Sequence, residues 1–383
     1  MPLKKGPAII LLLAILFFLL VFFFKVKDEM IDFQVNYVAG KRLRWAETLY
    51  RFEDEHYMFK YLPSSAFLYL PLSYLPLKSA KMVWYFLTII CAGFIILISY
   101  RLLANGEKSK YLLVLPLLIT LRYYSRELFL GQINTLVTLS LLLMTWYIVS
   151  ESKEPTPKKD IFAGFFWGLG MAMKPYAVIF FPYLIIKKKW RSLASGIIFL
   201  GAALLAPAMF YGFRGNYVVL KEWYSTLART TPQLLSSLDN ISLIACFTKW
   251  TGDPQLSLVL STTFISLLAV MILAVILMGR ELPRASVLEC GLCLMVIPLV
   301  SPLGWDYTLL TATLGIMLLI RYYPAFTLFA RILLLVNFVL ITFAFYDLLG
   351  KEMYTTFMQW SVTTVNFLIL CGYLAYLRIK KIC

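Results

Sequence analysis

Residues 28–76 read DEMIDFQVNYVAGKRLRWAETLYRFEDEHYMFKYLPSSAFLYLPLSYLP. How this stretch meets a membrane sets the side of every loop after it. It follows the first long apolar run, at 7–24, and it gathers Asp28, Glu29, Asp32, Glu47, Glu53, Asp54, Glu55 and the only histidine, His56. Its first part reads as an amphipathic helix. Asp28, Asp32 and Asn36 recur every four residues and share one face, while Met30, Phe33 and Tyr37 fall on another. Such a helix is expected to lie in the membrane interface, apolar face down, with Asp32 near headgroup level. The last part, 61–76, is apolar but carries Pro63, Pro71 and Pro76, and proline inside a helix removes a hydrogen bond and kinks the chain. It is expected to be re-entrant or interfacial. If it crossed, the later loops would all change sides. Lys41, Arg42, Arg44, Arg51 and Lys60 in the same loop pull against an external placement.

Outward from that stretch, the chain is membrane-like. Of 383 residues, 61% are hydrophobic and only 15% charged, against about 25% charged in soluble domains. Apolar runs approaching the ~20 residues that cross a hydrocarbon core recur throughout. They are expected at 7–24, 82–100, 111–121, 130–149, 161–173, 176–186, 193–211, 256–278, 286–300, 307–320, 326–345 and 356–377. The expected fold is therefore an all-α polytopic membrane protein with about 12 spans, both ends cytoplasmic. Residues 1–383 form a single integral-membrane domain with external loops at about 25–80 and 213–255. No linker exceeds about 50 residues, too short for an inserted soluble domain, so a nucleotide-binding α/β module is excluded.

The net charge of +16 does not point to nucleic acid. Many of the cations sit in short loops and ends, at Lys4 and Lys5 and within 108–110, 158–159, 187–191, 280–284 and 378–381, which is the positive-inside pattern. The run at 7–24 ends in Phe-Phe-Phe-Lys without a small-residue cleavage site, and is read as a retained span. Cys290 and Cys293 have redox or metal spacing, but in an apolar helix that spacing is read as packing. No His, Cys and carboxylate cluster has metal-ligand spacing, so no metal is expected.

The runs at 111–121 and 176–186 have about eleven residues, only ~16 Å of helix. Short helices ending in charge place that charge below the membrane surface, where it is tolerated around a protein-lined or wet cavity. An outward-opening cavity is expected, with Arg122, Arg126, Gln132, Asn134 and Lys174 near its floor or wall. Arginine and lysine there suit a phosphate, although Arg126 could instead be held in an ion pair. Gln132 and Asn134, in Gly-Gln-Ile-Asn, could bond sugar hydroxyls or cap a helix. The turn Ser301-Pro-Leu-Gly-Trp-Asp-Tyr307 brings Trp305, Asp306 and a phenol together, with Asp306 a competing carboxylate. Asn240 fits a glycosylation sequon. Asp32 is the candidate base: a sugar on a lipid phosphate already carries a good leaving group, so one carboxylate that deprotonates an acceptor hydroxyl suffices, with cations stabilising the departing phosphate.

These pieces together resemble glycosyltransferase family 87, the polyprenyl-phosphate-mannose-dependent mannosyltransferases of the GT-C superfamily. The resemblance rests on Asp32-Phe-Gln-Val-Asn-Tyr37, Gly40 through Leu49-Tyr50, Phe59-Lys-Tyr61-Leu-Pro63 with Pro71-Leu72 and Leu75-Pro76, Gly131-Gln132-Ile-Asn134, Gly164 to Lys174-Pro175, Asn240-Ile-Ser242, and Ser301-Pro302 with Trp305. It covers most of the chain through about residue 310, and the order of the motifs is more specific than any one of them. It implies a GT-C-like fold, Asp32 as base, a polyprenyl-phosphate sugar donor, and inversion at the anomeric carbon. It also implies a hexose or pentose, mannose first, transferred to a glycolipid or glycan acceptor at the outer face of a bacterial or archaeal cell membrane. Tyr61, Asn240, Trp305 and Asp306 join the expected substrate residues. No cofactor is implied beyond the lipid-linked sugar phosphate, and the other partners are membrane lipids. Where family members often place histidine after the tryptophan, this chain has Asp306. The competing reading is a transporter or flippase of a lipid-linked or anionic solute, since cations at broken helices suit that too.

Overall fold

The computed structural model of the chain describes residues 5–104, 109–149, 157–278 and 284–383. Lys4, Lys108 and Arg280, with the side chains of Lys5 and His56, lie outside the described residues. The order of helices is α1 (Lys5–Val21), α2 (Ile31–Arg44), α3 (Ala66–Tyr69), α4 (Leu77–Ala104), α5 (Tyr111–Leu130), α6 (Asn134–Val149), α7 (Pro157–Met173), α8 (Phe180–Ile186), α9 (Trp190–Leu205), α10 (Ala208–Leu234), α11 (Leu243–Thr251), α12 (Pro254–Leu277), α13 (Ala285–Val300), α14 (Thr313–Arg321), α15 (Leu328–Phe343), α16 (Tyr346–Gln359) and α17 (Val362–Ile379). Among the described residues there is no strand, only an isolated bridge between Asn240 and Trp305.

The all-helical architecture is as expected, but the count of about twelve spans is not. Among the described residues α4, α12 and α17 are long and apolar enough to cross a membrane. The total reaches five if the bent pairs α9–α10, at 90°, and α15–α16, at 106°, each count as one span. Helices such as α6 and α13 are apolar but have 16 residues each, ~24 Å of rise against a hydrocarbon core of ~30 Å. Their apolarity serves the protein interior: α13 is buried along nearly its whole length, and α14 from Thr313 to Ile320. The expected external loop at 213–255 is mostly helix, occupied by α10 and α11.

The segment 61–76 breaks as its prolines require, into a 3₁₀ turn at Pro63–Ser65, the four-residue α3 and another 3₁₀ turn at Leu72–Tyr74. None of these can cross a bilayer. Helix α2 is amphipathic, but it is not floating in an interface. Met30, Phe33 and Tyr37 are buried against protein, with the Phe33 ring 5.7 Å from Trp84 and 6.0 Å from Tyr69. Asp28 precedes the helix and is exposed. Asn36 is fully buried and donates to the Asp32 carbonyl at 2.8 Å.

Helices α7 and α9 pack at backbone distance through small residues. A Cβ on Gly164 would stand 2.1 Å from the Ser192 carbonyl oxygen, and one on Gly196 would stand 2.4 Å from the Trp167 ring. This is the small-residue packing of membrane helices, where close van der Waals contact replaces a hydrophobic driving force. At one end of α13, Glu289 is fully buried between Lys187, at 2.6 Å, and Arg378, at 3.0 Å. Lys189 pairs with Asp160 at 3.5 Å nearby in sequence. Several of the cationic loops therefore converge on one end of the bundle, and the Ser301–Tyr307 turn lies at the other end of α13. All six cysteines are buried and free.

Candidate functional site

Asp32 sits in the first turn of α2, where the helix dipole favours negative charge. Three contacts fix that turn. Met30, left-handed at φ 60°, donates its N–H to the Phe129 carbonyl at 2.9 Å. The Trp84 indole donates to the Gly131 carbonyl at 3.1 Å. Gly131 itself is left-handed at φ 70°, and an added Cβ would lie 2.5 Å from the Phe33 Cβ. The end of α5, the start of α6 and the start of α2 are thereby locked together.

Gln132, one residue on, is the hub of the site. Its Nε2 donates to Asp32 Oδ2 at 2.7 Å and to the Tyr307 hydroxyl at 3.2 Å. Its Oε1 accepts from the Tyr61 hydroxyl at 2.9 Å and faces Lys174 Nζ at 3.5 Å. Lys174 Nζ donates to Asn134 Oδ1 at 2.7 Å, which also accepts from the Tyr176 hydroxyl at 3.1 Å. The ammonium lies 5.2 Å from the Tyr61 ring centroid and 5.8 Å from that of Tyr176. Among the described residues Lys174 has no carboxylate within ion-pair distance. Burial lowers it to about 8, against the opposing pull of Glu127 and Asp32. Lys60 is lowered by burial as well, with Asp32 pulling the other way. The site thus holds a carboxylate, two cations and a rim of phenols. That set can bind an anionic group beside a base.

Glu127 orients the floor. Its fully buried carboxylate accepts from Asn134 Nδ2 and from the Thr135 N–H, both at 2.8 Å. This turns the Asn134 carbonyl oxygen toward Lys174. Glu127 was not among the candidate site residues of the sequence reading. Its true signal was its distance of seven residues from Asn134 across a Gly-containing turn. Tyr307 entered only as the phenol beside Asp306, Lys60 only as a loop cation, and Tyr176 was not singled out.

Five of the expected residues converge: Asp32, Tyr61, Gln132, Asn134 and Lys174. Others do not. Helix α5 runs on to Leu130 and does not stop near residue 121, so Arg122 and Arg126 are helical residues and not a helix end. Arg126 is taken up by Asp239, at 2.6 Å, and Asp306, at 2.9 Å, and stands 5.8 Å from the Tyr307 ring centroid. Asp306 is raised by burial, against Arg126 and Arg122. It braces this neighbouring ion network. Arg122 donates to the Ala344 carbonyl and lies 4.7 Å from the Tyr123 ring centroid. Asn240 is fully buried and donates to the carbonyls of Pro302, at 2.9 Å, and Leu234, at 3.3 Å, while its Oδ1 accepts from the Ser242 N–H at 3.1 Å. Its side chain braces backbone and is enclosed. Trp305 forms the bridge to Asn240. No group of three His, Cys, Asp or Glu that could hold a metal occurs among the described residues.

The family model of glycosyltransferase family 87 matches residues 59–302. The match includes Tyr61, Glu127, Gln132, Asn134 and Lys174, and it lies between Asp32 on one side and Tyr307 on the other. No curated protein and no solved structure matches the chain.

Proposed function

Because the chain belongs to glycosyltransferase family 87, we propose that it moves a hexose or pentose, mannose first, from a polyprenyl-phosphate donor to a hydroxyl of a glycolipid or glycan, with inversion. The observation that carries this reading is Lys174, a half-buried ammonium whose hydrogen bonds go to neutral acceptors, set beside aromatic rings and joined through Gln132 to Asp32. A cation in that setting is incompletely compensated, and a phosphate completes it.

In the proposed step the acceptor O–H gives its proton to the Asp32 carboxylate as its oxygen bonds the anomeric carbon. The bond from that carbon to the phosphate oxygen breaks, and its electron pair leaves with the polyprenyl phosphate. Lys174, with Lys60 nearby, stabilises the leaving phosphate. The tyrosines around the site limit water, which would otherwise compete as acceptor. The lipid-linked sugar phosphate is substrate, and the step calls on no further cofactor. The active site faces outward in a bacterial or archaeal cell membrane, a placement supported by the cationic loops gathered at the other end of α13.

Asp32→Asn preserves shape and the contact with Gln132 while removing the base. Transfer from a polyprenyl-phosphate-sugar is expected to fall by about 10²-fold or more, the usual range for general-base loss, with an unchanged melting temperature. Turnover near the parent rate would refute Asp32 as the base.

A further inference from the structure

A groove of about 790 Å³ lies apart from Asp32, between residues 48–54 and helix α10, within the range of cavities that take ligands of drug size. The two sites share a wall. The Tyr50 hydroxyl, in the groove, donates to the Tyr61 carbonyl at 2.6 Å, and the Tyr61 hydroxyl donates to Gln132, which holds Asp32. Helix α10 is fastened to the same segment, with the Trp223 indole donating to the Lys60 carbonyl at 3.3 Å.

The lining mixes signs. Arg42 is clamped by Asp54 through a two-point pair. Lys221, Arg229, Glu53 and Glu222 form no ion pair among the described residues, and the Arg229 guanidinium lies over the Phe52 ring at 5.0 Å. Glu222 Oε2 is buried without a hydrogen-bond partner. A phosphate is poorly served here, because four cations share the walls with three carboxylates. A polyhydroxyl ligand is well served. Carboxylates accept from hydroxyls, guanidinium and ammonium groups donate to them, and the Phe52 and Tyr50 rings supply apolar faces for a sugar ring.

The groove also lies where a lipid-borne glycan would arrive. Helix α10 departs at 90° from α9. Phe213, Tyr217 and Tyr224 recur on one side of α10 and are 81%, 70% and 71% exposed. Glu222, Ser225 and Arg229 occupy the other side and line the groove. Aromatic side chains so displayed suit the headgroup level of a membrane.

We propose that this groove binds the carbohydrate of the acceptor, a neutral polyhydroxylated headgroup, and delivers its hydroxyl to Asp32. The proposal rests on the transferase reading above. Its direct test is saturation-transfer NMR on the purified full chain with mannotriose, maltotriose and cellotriose as probes. At least one trisaccharide is expected to bind, Glu222→Gln and Arg229→Ala are each expected to weaken it by about tenfold, and inorganic phosphate should not displace it. Asp32→Asn should bind the sugar as the parent does. Absence of binding by all three, binding that survives both groove substitutions, or displacement by phosphate overturns the proposal. In transfer assays Arg229→Ala should raise the acceptor KM and leave the donor KM unchanged, and a matching rise in the donor KM counts against it. If Asp32→Asn keeps full turnover while the groove still binds sugar, the catalytic reading falls and the groove assignment stands.

Discussion

Replacing Lys174 with methionine should make the empty protein more stable and the enzyme nearly inactive. Methionine keeps the length of the side chain and removes the charge. The ammonium is pushed from its ordinary 10.5 to about 8, chiefly by burial, with Glu127 and Asp32 opposing. A drop of that size corresponds to roughly 3 kcal/mol spent at neutral pH on keeping the charge in the folded protein. The sign follows from proton counts. The folded value lies below the unfolded one, so the unfolded chain binds more protons between about pH 8 and 10.5, and this contribution to stability rises with pH across that window. Below about 8 the cost is present in full. Methionine removes it and forfeits the 2.7 Å hydrogen bond to Asn134, worth about 1.5–3 kcal/mol for a charged donor. The net gain at pH 7 is on the order of 1 kcal/mol, a higher melting temperature by a degree or two.

Turnover moves the other way. A unit charge ~4 Å from a phosphate is worth about 4 kcal/mol at an effective dielectric of ~20. Losing it lowers kcat/KM for the donor by two to three powers of ten, at about 1.4 kcal/mol each. In the parent protein the affinity for the donor should also decline as pH rises through about 8, because the free ammonium deprotonates there. The assays are thermal unfolding of the empty protein and kcat/KM for a polyprenyl-phosphate-sugar at neutral and alkaline pH. A lower melting temperature, or a loss of kcat/KM below about threefold, would refute a phosphate-binding cation and leave a structural one.

Gln132→Met should lower kcat by about tenfold or more with little change in donor KM, since it removes the 2.7 Å contact to Asp32 without touching the Lys174–Asn134 contact; a pure KM effect would argue against a positioning role. Gly131→Ala should destabilise by more than about 1–2 kcal/mol, because it forces a side chain into a left-handed residue whose Cβ would lie 2.5 Å from Phe33; denaturant unfolding measures this, and a neutral result would contradict the packing at the start of α2. Glu289→Ala removes the buried carboxylate between Lys187 and Arg378 and should cost roughly 3–5 kcal/mol, seen as a lower melting temperature with unchanged KM values in the surviving fraction.

The sequence alone determined the class of protein, the break at 61–76 and the convergence of Asp32, Gln132, Asn134 and Lys174 as candidates. Those conclusions rest on local chemistry: hydropathy, proline stereochemistry and the rarity of charge in an apolar chain. Only the tertiary structure decided which charges are free to act. Arg126 and Lys174 look alike in sequence, yet Arg126 is consumed by Asp239 and Asp306 from 113 and 180 positions away, while Lys174 meets only neutral partners. Helix α5 continues through Arg122 and Arg126, where hydropathy ended it, because arginine is a good helix former whatever its hydropathy. Apolar runs could not be sorted into lipid-facing and protein-facing helices, since both environments exclude water alike. That ambiguity turned about twelve expected spans into three to five among the described residues. It also placed α2, with Asp32 in its first turn, against Trp84 and Tyr69 and not against lipid.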